Sequence, residues 1–115
     1  MPRVKENQFI TFNDGVLDIC EVENRTLAST KLQRMRFGNR TVGASRYWDA
    51  KVASSEIERL VAVLPEGEIT TRDICLIGGK QYKILQVQEK FDADPPCRYL
   101  SLSSMPVPYK DMRNG

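Results

Sequence analysis

The sequence predicts an all-β fold, a small antiparallel β-barrel or sandwich, from three observations. Six β-prone runs, at 9–12, 16–22, 57–64, 73–77, 81–88 and 98–102, follow one another at close spacing. Turn-forming residues separate them, namely Asp14-Gly15, Pro65 and Gly67, Gly78-Gly79, and Pro95-Pro96. Short strands punctuated in this way mark a barrel or sandwich. At 115 residues the chain has the length of a single domain, able to bury one core without disulfides or metal. That domain is expected over 1–104, with 105–115 as a flexible or extended C-terminal arm.

Runs 9–12 and 16–22 flank Asn13-Asp14-Gly15, and an Asp-Gly turn between β-prone runs signals a hairpin. In the second run Val16, Asp18, Cys20 and Val22 share one face, with Leu17, Ile19 and Glu21 on the other. Neither face is purely polar, so this strand is expected to be covered on both sides or to lie at an interface. Residues 24–46 read as an extended basic loop inserted in the barrel. Its apolar positions are sparse (Leu27, Leu32, Met35, Phe37, Val42), and Gly38 and Gly43 add backbone freedom. One short helix is the expectation for 43–54, where Tyr47, Ala50 and Lys51 fall at i, i+3, i+4 and Ser45 offers an N-cap. A strand over 48–53 is the competing reading.

The run 57–64 reads as a strand that ends at Pro65, which lacks the N–H a ladder needs. Runs 73–77 and 81–88 are joined by Gly78-Gly79-Lys80, suited to a tight turn with positive φ. In the second of these Tyr82, Ile84 and Gln86 alternate with Lys83, Leu85 and Val87. The last run, 98–102, follows Asp94-Pro95-Pro96 and brings Tyr99 and Leu102 to the core.

Composition narrows the chemistry. Seventeen basic residues against fifteen acidic ones leave a net charge of +2, lower than a uniform polyanion binder carries. No apolar run reaches the roughly 18 residues that cross a bilayer, and the first nine residues carry no signal-peptide stretch. There is no histidine, so the commonest general base and metal ligand is missing. The three cysteines, Cys20, Cys75 and Cys97, are widely spaced and read as buried free thiols. Asp92 and Asp94 lack the further oxygen donors and glycine hinge of a calcium loop. Gly78-Gly79 is a turn, not a nucleotide fingerprint. No enzyme, metal or cofactor is expected. The asparagines of the two Asn-Arg-Thr sequons, Asn24 and Asn39, carry no weight without secretion.

The uneven feature is the charge of 24–48. Arg25, Lys31, Arg34, Arg36, Arg40 and Arg46 lie there without one acidic residue among them. Such a stretch would track phosphates through counterion release or dock on an acidic protein surface.

From Thr41 to Leu102 the order of small motifs is distinctive. Val42-Gly43-Ala44-Ser45-Arg46-Tyr47-Trp48-Asp49-Ala50 precedes a strand; Ile69-Thr70-Thr71-Arg72-Asp73 follows it. Ile77-Gly78-Gly79-Lys80-Gln81-Tyr82-Lys83-Ile84 comes next, and Tyr99-Leu100-Ser101-Leu102 closes the series. This order resembles the head-tail connector (head completion or stopper) proteins of tailed bacteriophages and of Gram-positive prophages. The resemblance implies a β-barrel with a long inserted loop, monomeric in isolation. It implies self-assembly into a ring below the portal and adaptor proteins, closing the packaged head and presenting a surface to the tail proteins. The expected setting is the virion neck, and the host cytoplasm during assembly, with no membrane partner. Lys31, Arg34, Arg36, Arg40 and Arg46 then become the candidate assembly or DNA-facing residues. Facing the channel they would make sequence-independent contact with packaged DNA; facing outward they would meet acidic portal or adaptor surface.

Two alternatives stand beside this reading. One is a tail completion or terminator subunit, on the other side of the same joint. The other is a free-standing nucleic-acid-binding β-barrel, which places aromatics at alternate positions on an exposed strand face. Tyr82 and Tyr99 sit among apolar residues and are expected in the core instead.

Overall fold

The computed structural model describes residues 11–40, 57–91 and 94–113. Seven strands follow in chain order: β1 (Gly15–Glu23), β2 (Thr26–Arg40), β3 (Arg59–Val63), β4 (Ile74–Ile77), β5 (Lys80–Lys90), β6 (Cys97–Ser104) and β7 (Lys110–Asp111). Two tight turns organise them. Gly78 and Gly79, at φ of 58° and 82°, join β4 to β5, with Ile77 and Lys80 directly paired. Asn24 and Arg25, at 51° and 61°, join β1 to β2. Positive φ at both turn positions gives a twist that matches the strands being joined.

Around the sheet the neighbours run β1-β4-β5-β6-β3-β2, and β2 pairs back onto β1, so six strands form a closed ring of hydrogen-bonded neighbours. The pairs around the ring are antiparallel. The fold is all-β, as expected. Side chains that point inward form one cluster, which includes Leu17, Ile19, Phe37, Val61, Val63, Cys75, Ile84, Leu100 and Leu102. Phe37 is 1% exposed, and truncating such a residue to alanine costs about 3–5 kcal/mol. Two smaller clusters lie apart from the interior one. Leu60, Ala62, Cys97 and Tyr99 pack with Phe12, and Cys20, Leu27 and Ile74 pack with Met105 and Tyr109. All three cysteines are buried, one in each cluster.

Bulges decide which residues face inward. Between Gly15↔Phe37 and Glu23↔Thr26, eight steps along β1 are matched by eleven along β2, with three register shifts. Each shift places an extra residue on β2 and increases its twist. Ile19 therefore lies in the interior cluster while its buried neighbour Cys20 lies in another, so β1 is covered on both faces. On β5 the register moves at Leu85, from Ile84↔Leu102 to Gln86↔Ser101. That shift turns Gln86 away and lets Val87 pack on the interior cluster, which corrects the even alternation expected for this strand.

Three further expectations change. Thr11 and Phe12 are not in a strand; β1 makes its hairpin with β2, and the 9–12 partner is not seen among the described residues. Over 24–40 the inserted basic loop is a 15-residue strand, bonded to β1 along most of its length and to β3 at its end. Its spacing hides this because the three bulges break the two-residue period. The C-terminal arm is extended but tied down. The Gln81 side chain accepts from the Tyr109 N–H at 2.9 Å and donates to the Tyr109 carbonyl at 2.8 Å. β7 then pairs in parallel with Thr26 and Leu27. The helix expected over 43–54 lies outside the described residues.

The two mouths of the ring are closed differently. Beyond β3, the segment from Leu64 to Asp73 crosses one mouth and inserts Ile69, 7% exposed, into the interior cluster. Arg98 holds it by donating to the carbonyls of Gly67 at 2.8 Å and Glu66 at 3.3 Å. Gly67 has a φ of 69°, and a Cβ there would come within 2.5 Å of the Leu32 side chain. Asp73, 4% exposed, accepts from Lys31 Nζ at 2.8 Å, from the Thr70 N–H at 2.9 Å and from the Thr70 hydroxyl at 3.2 Å. At the other mouth stands Arg59, first residue of β3 and in phase with inward-facing Val61 and Val63.

Candidate functional site

The basic residues singled out from the sequence fall along β2, and the strand sorts them into different roles. Lys31 is structural: its ammonium meets the buried Asp73 carboxylate at 2.8 Å. Arg34 sits at a bulge with φ of 55°, where its backbone N–H donates to Asp18 Oδ1 at 2.8 Å. A left-handed conformation is costly for a residue with a Cβ, and the Asp18 carboxylate offsets that cost locally. The Arg34 side chain is exposed. Arg36 pairs across from Val16, which is itself 45% exposed. Among the described residues Arg36 has no ion pair or hydrogen bond through its side chain. Arg40 lies 5.6 Å from the centre of the Tyr99 ring, a stacking that holds its guanidinium over the β3–β6 surface. Arg46 lies outside the described residues.

Arg36, Gly38 and Arg40 alternate with inward-facing Phe37, so they share the outer face of β2. Gly38 is the spacer: a Cβ there would meet the Thr11 carbonyl oxygen at 2.0 Å. The segment before β1 therefore crosses β2 between the two arginines. Asp14 secures it, since its N–H donates to the Phe37 carbonyl at 3.0 Å and its carboxylate accepts from the Asn39 N–H at 2.8 Å. On the other side of Arg36, a notch of about 240 Å³ is lined by Gln33, Arg34, Met35, Arg36, Leu64 and Glu66. Of the five candidates, Arg34 and Arg36 are brought together at this notch; Lys31 and Arg40 are engaged elsewhere.

One cation escaped the sequence reading. The Arg59 guanidinium lies 5.2 Å from the centre of the Phe37 ring and 5.9 Å from that of Tyr82. It donates to the Tyr82 hydroxyl and to Asn39 Oδ1, each at a long 3.4 Å. Lys80 approaches the same Tyr82 ring at 5.5 Å. The signal was available in the sequence, as an arginine that shares the spacing of the valines of its strand.

Exposed guanidinium groups can bind oxyanions through charge-assisted, often bidentate hydrogen bonds. Two of the thiols are held in their less reactive form. Burial pushes the Cys75 thiol up to about 12 and raises Cys20 in the same direction, and the thiol form is a poor nucleophile. No family model, curated protein or solved structure matches the chain.

Proposed function

We propose that the protein is a structural subunit of the neck of a tailed phage or prophage. In this reading it assembles as a ring below the portal and adaptor, closes the packaged head and joins it to the tail. The observation that carries the reading is the motif order from Thr41 to Leu102. Its Gly-Gly turn joins β4 to β5, and its Tyr-x-Ile and Leu-x-Leu units lie on β5 and β6; the three strands are consecutive neighbours around the ring.

The chemistry available for assembly is the Arg34–Arg36 notch. Both residues are exposed on a strand held by pairing, so little side-chain scaffold has to be ordered when a partner arrives. Two arginines beside a Glu66-lined notch on a chain of net charge +2 fit a local acidic patch on a neighbouring neck protein better than a continuous phosphate track. Tyr82 and Tyr99 are 7% and 8% exposed, so neither offers an open face on which a base would stack.

The test is deletion of the gene in its phage or prophage, followed by electron microscopy of the induced lysate. Heads that have lost DNA beside complete, unattached tails are the expected result. Filled heads with malformed tails would move the protein to tail completion. Normal joined particles would remove the neck reading.

A further inference from the structure

We propose that the mouth of the ring at Arg59 and Lys80 is a binding site for a single oxyanion group, a carboxylate or a phosphate. The inference rests on this mouth alone and does not depend on the neck assignment. Arg59 is half-buried, held between Phe37 and Tyr82 at 5.2 and 5.9 Å. Among the described residues no carboxylate lies within salt-bridge distance of it. Among the described residues its five N–H donors find two acceptors, Tyr82 and Asn39, both at 3.4 Å. Three other half-buried cations have carboxylates: Lys31 meets Asp73 and Arg98 meets Glu89, each at 2.8 Å, and Arg113 on the arm meets Asp111 at 2.7 Å; half-buried Arg40 instead lies against the Tyr99 ring on the outer face.

A guanidinium partly removed from water without a counter-charge carries a desolvation cost that an incoming oxyanion relieves. The aromatic rings fix its plane in advance, which reduces the ordering needed on binding. Lys80, in contact with the same Tyr82 ring, supplies a second positive charge from a flexible stem. Glu58, the residue before Arg59, is a nearby acidic group among the described residues. Its carboxylate is already engaged by the backbone N–H of Ser104. Asp14, on the approach to the mouth, is likewise engaged by the Asn39 N–H.

The experiment is a pair of NMR titrations of the whole chain, with inorganic phosphate and with acetate, at ionic strength held constant with chloride. The Arg59 Nε–H and the Tyr82 ring protons report on the site. Saturable shifts at both positions are expected with at least one of the two anions. Phosphate binding more tightly points to a phosphate ligand, and acetate binding more tightly to a carboxylate. In Arg59→Gln, with the fold checked by circular dichroism, the Tyr82 response should weaken by about tenfold. Lys80→Gln should weaken it less, by about threefold. Shifts that grow linearly without saturation, or a Tyr82 response unchanged in Arg59→Gln, would overturn the proposal.

Discussion

At one mouth of the ring a buried carboxylate is met by an ammonium and two further donors; at the other, a guanidinium meets no carboxylate among the described residues. Asp73 is matched by Lys31 and by both donors of Thr70, and Ile69 fills the space beneath. Arg59 sits in a comparable position, over the interior cluster, with two aromatic faces and two long hydrogen bonds. The difference teaches how one small core can be both closed and receptive. The first mouth contributes stability, and the second keeps a charge available.

Substitutions at the two mouths should differ most in stability. Asp73→Ala strands Lys31 and the Thr70 donors around an apolar site, and should cost about 3 kcal/mol, read as a lower midpoint in urea denaturation. Arg59→Gln removes only cation–π contact and weak hydrogen bonds, and should cost about 1 kcal/mol or less in the same assay. Equal losses would erase the distinction between the mouths.

A smaller effect separates the ring from the arm that leaves it. Hydrogen bonds from Arg113 hold the Asp111 carboxyl down at about 2, below its ordinary 3.8. A folded-state value lowered in this way contributes its stability above the ordinary value and loses it as pH falls through the folded one. Between pH 4 and 2, therefore, the Met112 amide, which donates to the Leu27 carbonyl at 3.0 Å, should lose protection from hydrogen exchange while amides of β3 keep theirs. Simultaneous loss would mean that the arm is part of the same cooperative unit as the ring. The smallest stability change belongs to Arg36→Glu, expected within about 0.5 kcal/mol of the parent, yet it should abolish attachment of tails to heads. Normal attachment would remove the notch from the assembly surface.

Much of the ring was legible in the chain because local signals were strong there. Gly78-Gly79 announces its turn, the run 57–64 contains β3, and Tyr99 and Leu102 proved to be core. β2 was illegible for a physical reason. Three bulges interrupt the two-residue period between Met35 and Leu27 and put Leu32 out of phase with both, so a strand paired along its length reads as a loop. The same feature scattered the candidate site. Lys31 reads like its neighbours in sequence, but its role is set by Asp73, 42 residues away. Arg59 was overlooked because a charge beside Glu58 within the run 57–64 reads as a solvent-facing strand position. The docking of the arm depends on the Gln81 side chain and the first residues of β2, which no local pattern in 105–113 reveals.

The bulges of β2 have one more consequence. Between its pairings with β7 and β3, residues 28–36 have a strand neighbour on one side only, β1, among the described residues. A flat edge of that length would be a template for open-ended stacking of one molecule on the next. Here the edge is coiled by three register shifts and carries Lys31, Arg34 and Arg36. Growth by edge-to-edge addition is thereby discouraged, and a concentrated pool of free chains should stay in solution without forming fibres.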